Sequence, residues 1–241
     1  MSYRVFIGVG HGGSDPGAVK YVKEAWANLI ISLELKRQLE AAGLLVGISR
    51  VKDEDDDINE EIREANAFGP DLAFEVHNNA GGGNGFEVYV KTNGYAAESR
   101  ACAAFVEEEV KAIGQQSRGI KVNTFGWIRL IDAPSILTEG FFVDNKSDVV
   151  DFDTEEELKN LARAYARGVL KYFGLASGTG NTGAAKPSNT VSKPSAPSAP
   201  SKMTVDPAKS YLNSLGGTYK VTASELNVRA GAGTSKAILT S

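Results

Sequence analysis

Two short apolar runs in this 241-residue chain each break into glycines at a histidine, and the chain holds no other histidine. Arg4-Val-Phe-Ile-Gly-Val-Gly10 leads into His11-Gly-Gly-Ser-Asp-Pro-Gly17. Leu72-Ala-Phe-Glu-Val76 leads into His77-Asn-Asn-Ala80 and then Gly81-Gly-Gly-Asn-Gly85. A β-branched and aromatic run stopped by glycines reads as a buried strand ending in a loop that needs unusual backbone angles. Two such strands, each delivering one of only two imidazoles, imply one sheet with one shared site at its edge.

The intervening pattern sets the fold class. Trp26, Leu29, Ile30 and Leu33 recur at helical spacing, continue to Leu39 and stop at Gly43. Leu44–Ser49 reads as a second strand. The acids Asp53–Asp57 crowd the start of a helix carrying Ile58, Ile62 and Ala65, where the helix dipole favours negative charge. A calcium loop is the alternative, but its spaced ligands and central glycine are missing. Gly69-Pro70 ends that helix. Phe86–Val90 alternates as a strand, and Cys102, Phe105, Val106, Val110 and Ile113 mark a further helix. Trp127–Ile131 and Ser135–Thr138 read as two short strands, and Glu155–Phe173 as a closing amphipathic helix. Strands alternating with helices predict an α/β fold, a mostly parallel twisted sheet with helices on both faces.

Residues 1–175 carry 19 Lys+Arg against 28 Asp+Glu, whereas 176–241 carry 7 against 2. An acidic body argues against nucleic acid as a partner, and a basic tail suits an anionic surface. The single cysteine, Cys102, excludes an internal disulfide and reads as a small buried core residue. No apolar stretch approaches the roughly 20 residues that span a bilayer, so no membrane insertion is expected. The first strand begins without a signal peptide's order of basic, apolar and small residues. The expected localisation is therefore cytoplasmic until release.

In an open α/β sheet, ligands bind at the carboxyl ends of the strands. His11, His77 and Glu139 each fall just past such a predicted end, and Glu24 stands at the start of the first helix. Two imidazoles and one carboxylate with an open fourth position make a hydrolytic zinc arrangement, and a second carboxylate nearby supplies a general base. With formal charge near +1, such a centre still polarises a carbonyl and brings water toward a pKa of about 7. Pattern alone leaves rivals. Either histidine can be an ordinary hydrogen-bonding residue, and Glu34, Glu75 or Glu87 competes with Glu24 as the ligand; Glu75 and Glu87 sit in strand patterns that suit solvent. The Gly81–Gly85 loop suggests a phosphate cradle, yet no Gly-Lys-Ser/Thr follows. No Gly-x-Ser-x-Gly nucleophile elbow is present.

Taken together, Gly10-His11-Gly-Gly-x-Asp-Pro-Gly17, Glu24 with Asn28-Leu29, Glu64-Ala-Asn66, His77-Asn-Asn79-Ala80, Arg118-Gly-Ile-Lys121 and Ile136-Leu-Thr-Glu139-Gly-Phe-Phe-Val-Asp-Asn145 resemble the zinc-dependent N-acetylmuramoyl-L-alanine amidases, the type 3 muramoyl amidase family, over residues 3–174. The resemblance implies that His11, Glu24 and His77 bind Zn2+ and that Glu139 is the catalytic carboxylate. It also points to Asn79 and Arg118 as substrate-binding residues, Arg118 meeting a stem-peptide carboxylate or else forming a structural salt bridge. The implied reaction hydrolyses the amide between N-acetylmuramic acid and the L-alanine of the stem peptide, so the partner is bacterial peptidoglycan. The chain departs from the family pattern at Gly8-Val9-Gly10, where Asp-Pro is common, and at Gly140-Phe141-Phe142.

Composition shifts at Leu175 to Ser, Pro, Ala, Gly, Thr, Asn and Lys. The expected organisation is a catalytic domain over 1–175, a flexible linker over 176–210 and an incomplete wall-binding β module over 211–241. The tail Val221–Thr234 resembles the opening of a bacterial Src-homology-type wall-binding domain. The whole is similar to a phage endolysin or leaderless autolysin, expected as a monomer. The competing readings are a zinc peptidase cutting elsewhere in the stem and a non-catalytic wall-binding protein.

Overall fold

The computed structural model of the chain describes residues 2–175, so the linker and wall-binding module expected beyond them lie outside the described residues. In chain order the elements are β1 Arg4–Val9, α1 Glu24–Ala41, β2 Leu45–Ile48, α2 Ile58–Phe68, β3 Leu72–Asn79, β4 Phe86–Val90, α3 Ala96–Ala112, β5 Ser117–Val122, α4 Gly126–Leu130, β6 Ser135–Phe142, α5 Lys146–Val149 and α6 Glu155–Tyr172. The six strands form one sheet in the order β2-β1-β3-β6-β4-β5. All neighbours pair in parallel except β4 with β6, which are antiparallel. The expected α/β class and mostly parallel sheet are therefore present.

Alternation along the strands divides the core into two layers. Val5, Ile7, Val9, Phe74 and Val76 point to one face, under α1, α3 and α6. Phe6, Ala73 and Leu137 point to the other, against Ile62 and Ala65 of α2 and Trp127 and Ile128 of α4. Burying one such aliphatic side chain contributes about 1.5–3 kcal/mol. Because α1 is covered by the sheet on one side and α6 on the other, it buries Ala27, Ile31, Leu35 and Leu39 together with polar Asn28 and Ser32. Trp26, Leu29 and Ile30, read from the sequence as its inward face, only border that core.

Local signals account for most boundaries. Asp57 caps α2 by accepting from the amides of Asn59 and Glu60, and Gly69 ends it in a left-handed conformation. A Thr154–Glu157 capping box opens α6. Two expectations need correction. Trp127–Ile131 is not a strand: Gly126–Leu130 is a single helical turn, held because Trp127 and Ile128 pack against α2. His77 and Glu139 do not follow their strands but lie inside them, since the β3–β6 ladder runs on to Asn79 and Phe142 with an irregularity after His77.

Candidate metal centre

The site forms at the carboxyl edge of β1, β3 and β6. Period-two alternation puts Glu75 and His77 on the same sheet face as Ala73, and Glu139 on that of Leu137. His77 and Glu139 are register partners. Gly10 follows β1 on the same face, and a Cβ there would overlap the His77 ring. A glycine is required at that point for the imidazole to lie across β1. His11 then turns back with φ 61°, the only positive φ at a non-glycine among the described residues. Such strain of about 1–3 kcal/mol persists where the surroundings enforce it.

Those surroundings are specific. Asn28 Nδ2 donates to the Gly10 carbonyl at 2.9 Å. The buried Arg50 guanidinium donates to the carbonyls of Val9 (3.2 Å), Gly10 (3.3 Å) and Ala25 (3.1 Å). One side chain thus ties the end of β1 to the start of α1. Among the acids preceding α2, Asp53 and Asp55 accept from the amides of Gly13 and Ser14, so they fasten the His11 loop rather than crowd the helix end.

Glu24, the first residue of α1, is 4% exposed and reaches both imidazoles. Its Oε1 lies 3.2 Å from His11 Nε2 and 3.1 Å from His77 Nδ1. The donor atoms of His11, Glu24 and His77 all fall within 4.8 Å of one another, and no other described His, Cys, Asp or Glu residues form such a group. Four ligands around zinc at about 2.0–2.1 Å stand about 3.3 Å apart, which matches the two separations from Glu24 Oε1. Each imidazole's other nitrogen faces a carboxylate, Asp15 Oδ2 at 2.8 Å for His11 and Glu75 Oε1 at 3.2 Å for His77. That is the usual outer arrangement of metal-ligating histidines.

The electrostatics agree. Burial raises the Glu24 carboxyl, but hydrogen bonds to His11 and His77 outweigh it and hold the group far below the ordinary range. Burial lowers the His77 imidazole, yet Glu24 and Glu75 raise it well above its usual value. His11 is raised, chiefly by Glu24. The pocket therefore calls for positive charge, which a divalent cation supplies as well as protons do. Nitrogen and carboxylate donors in this number suit zinc.

Glu139 is half-buried, and burial pushes its carboxyl up to about 7, with Glu24 and Glu87 adding to the rise and His77 opposing it. Its Oε2 is buried without a hydrogen-bond partner. Across β4, Glu87 is the register partner of Glu139. It accepts from Arg118 Nε (2.5 Å), Lys121 Nζ (2.6 Å) and Tyr89 Oη (2.8 Å). Arg118 thus stands beside the site in a salt bridge, with its guanidinium over the Phe142 ring. The Asn79 side chain accepts from the Ala80 amide at 2.8 Å, and its carbonyl accepts from the Val143 amide at 2.9 Å.

The rival ligands separate cleanly. Glu34 pairs with Arg37 and Gln38 away from the cluster. Glu75 and Glu87, expected toward solvent, are each 3% exposed. Glu61 of α2 covers Glu75, and the Arg118 and Lys121 side chains of β5 cover Glu87. The glycine loop is no phosphate cradle, because Asp144 takes the amides of Gly81 and Gly82 and Asp148 that of Gly85. Sequence reasoning missed Arg50 and the inward role of Glu75; Gly8 and Gly10, facing the positions of Glu75 and His77, were the available signal.

The sequence family described as N-acetylmuramoyl-L-alanine amidase matches residues 5–171. The sporulation-specific N-acetylmuramoyl-L-alanine amidase of Bacillus subtilis (strain 168) is 34% identical over 175 residues, covering 71% of this chain and 69% of that protein. The endolysin of Bacillus phage SPP1 is 30% identical over 190 residues, covering 76% and 70%. The crystal structure of an N-acetylmuramoyl-L-alanine amidase from Clostridium difficile 630 superposes with a TM-score of 0.68 at 27% identity, over 72% of this chain and 97% of that one. Fold, sequence and the placement of two histidines at one sheet edge agree: the chain belongs to the N-acetylmuramoyl-L-alanine amidase family of peptidoglycan hydrolases.

Proposed function

We propose that this chain cleaves the amide between N-acetylmuramic acid and L-alanine with a zinc ion held by His11 Nε2, His77 Nδ1 and Glu24, and with Glu139 as the catalytic carboxylate. When bound, zinc supplies Lewis acidity, polarising the scissile carbonyl and lowering the pKa of water to about 7. The observation that carries the reading is the convergence of two imidazoles and one buried carboxylate, with Glu139 in register beside His77.

The side chains divide the remaining work. Asp15 and Glu75 keep a hydrogen on the far nitrogens of His11 and His77, leaving the near ones free to ligate. Glu139 takes a proton from the attacking water. It then returns that proton to the amide nitrogen, which leaves poorly as an anion. Arg118, with Nε on Glu87 and Nη1 on the Asn84 carbonyl at 3.4 Å, offers Nη2 to a stem-peptide carboxylate, and Asn79 lies at the end of β3 to meet the peptide. In this reading residues 1–175 form the catalytic domain, 176–210 a linker and 211–241 an incomplete wall-binding module. The protein acts on the cell wall; no described helix is long and apolar enough to cross a membrane.

Digestion of purified peptidoglycan tests this. Mass analysis should show new L-alanine amino termini and free lactyl carboxylates, lost on chelation and restored by zinc. New termini within the stem would instead indicate a peptidase.

A further inference from the structure

The two outer carboxylates of the metal cluster differ in kind. Asp15, which faces His11, lies four residues along the same loop and is 67% exposed. Glu75, which faces His77 Nε2 at 3.2 Å, has only 3% of its side chain exposed. It sits two residues before His77 on β3, hence on the same sheet face. Its slot exists because its register partner on β1 is Gly8. A Cβ on Gly8 would overlap Glu75 Oε2 and also Glu61 Oε1. Glu61, from α2, closes the slot, and those same two oxygens have no hydrogen-bond partner. Burying a carboxylate this way is unfavourable and adds little packing. Within the slot Glu75 meets another carboxyl, that of Glu61; its contact with a nitrogen donor is the one with His77.

We propose that Glu75 is a positioning residue for the metal centre, seated in the slot that Gly8 leaves open. A neutral imidazole carries one N–H, and a nitrogen that carries it cannot ligate. Glu75 Oε1 accepts from Nε2–H and so keeps the lone pair on Nδ1, the nitrogen that faces Glu24 Oε1. It also fixes the ring plane and strengthens the donor nitrogen. The inference rests on the zinc reading above.

The test uses the full chain with Glu75→Met, Glu75→Gln, Gly8→Ala and the Gly8→Ala/Glu75→Met pair. Two quantities are measured: zinc affinity by chelator competition, and the melting temperature of the metal-free protein. Glu75→Met should weaken zinc binding by about 10–100-fold while the metal-free protein melts no lower. Glu75→Gln, which keeps an acceptor oxygen, should recover most of that loss. Gly8→Ala should weaken zinc binding in the parent and change nothing further in Glu75→Met. If Glu75→Met does not fold, Gly8→Ala and Glu75→Gln still decide the point. Zinc affinity unchanged in Glu75→Met, or unchanged in Gly8→Ala, overturns this inference while the zinc reading stands. A parent protein that binds no zinc overturns both.

Discussion

Replacing Arg50 with methionine should destabilise this fold strongly. Arg50 is 3% exposed and donates four hydrogen bonds to backbone carbonyls, those of Val9, Gly10 and Ala25 and that of Lys52 at 3.0 Å. No carboxylate pairs with it directly; burial lowers its pKa, and Asp56 and Asp53 balance its charge at longer range. Each bond from a charged donor contributes about 1.5–3 kcal/mol net, and methionine returns half or more of the total through relief of the buried charge, so the expected loss is about 3–5 kcal/mol. For a domain of this size that lowers the melting temperature by about 6–20 °C. Equilibrium urea unfolding of the metal-free protein reads it directly. Lysine, with three donors on one atom, should restore less than half. A loss below about 1 kcal/mol for Arg50→Met would refute the view that one guanidinium holds β1 to α1.

Three further outcomes follow from the same geometry. Glu139→Ala should keep stoichiometric zinc but lower kcat by about 10²–10⁴-fold, read as metal content beside peptidoglycan turnover; near-parental activity would require another base. Gly168→Ala should destabilise by about 1–3 kcal/mol in urea, because its Cβ would stand 2.6 Å from Val106 Cα where α6 crosses α3. Glu34, held at about 2 by Arg37 against its burial, with Gln38 and Arg163 adding to the effect, stabilises the fold above its unfolded value near 4.5; that stabilisation fades as pH falls from there through about 2. Glu34→Gln should therefore remove about 1–2 kcal/mol of acid sensitivity over that window, a range reduced because Arg37 is largely solvated.

Much of the sheet was legible because buried strands and glycine breaks leave a sharp pattern. β1, β4 and α6 fall where apolar spacing puts them. The site's two histidines were legible because both end apolar runs. What was hidden depended on neighbours distant in sequence. β5 reads as Ser-Arg-Gly-Ile-Lys-Val, half polar because it is an edge strand and open on one side. The turn at Gly126–Leu130 has β-like composition and becomes helical only through packing on α2. Glu75 and Glu87 look like the wet half of alternating strands, and side chains from other elements, Glu61 beside one and Arg118 and Lys121 over the other, make them buried.

Zinc-edge anomalous diffraction from crystals of the zinc-loaded protein tests the central claim most directly. One strong peak should lie within bonding distance of His11 Nε2, His77 Nδ1 and a Glu24 oxygen, with Glu139 outside the bonding sphere. A peak ligated by Glu75 or Glu139 in place of Glu24, or lying away from both imidazoles, would contradict it.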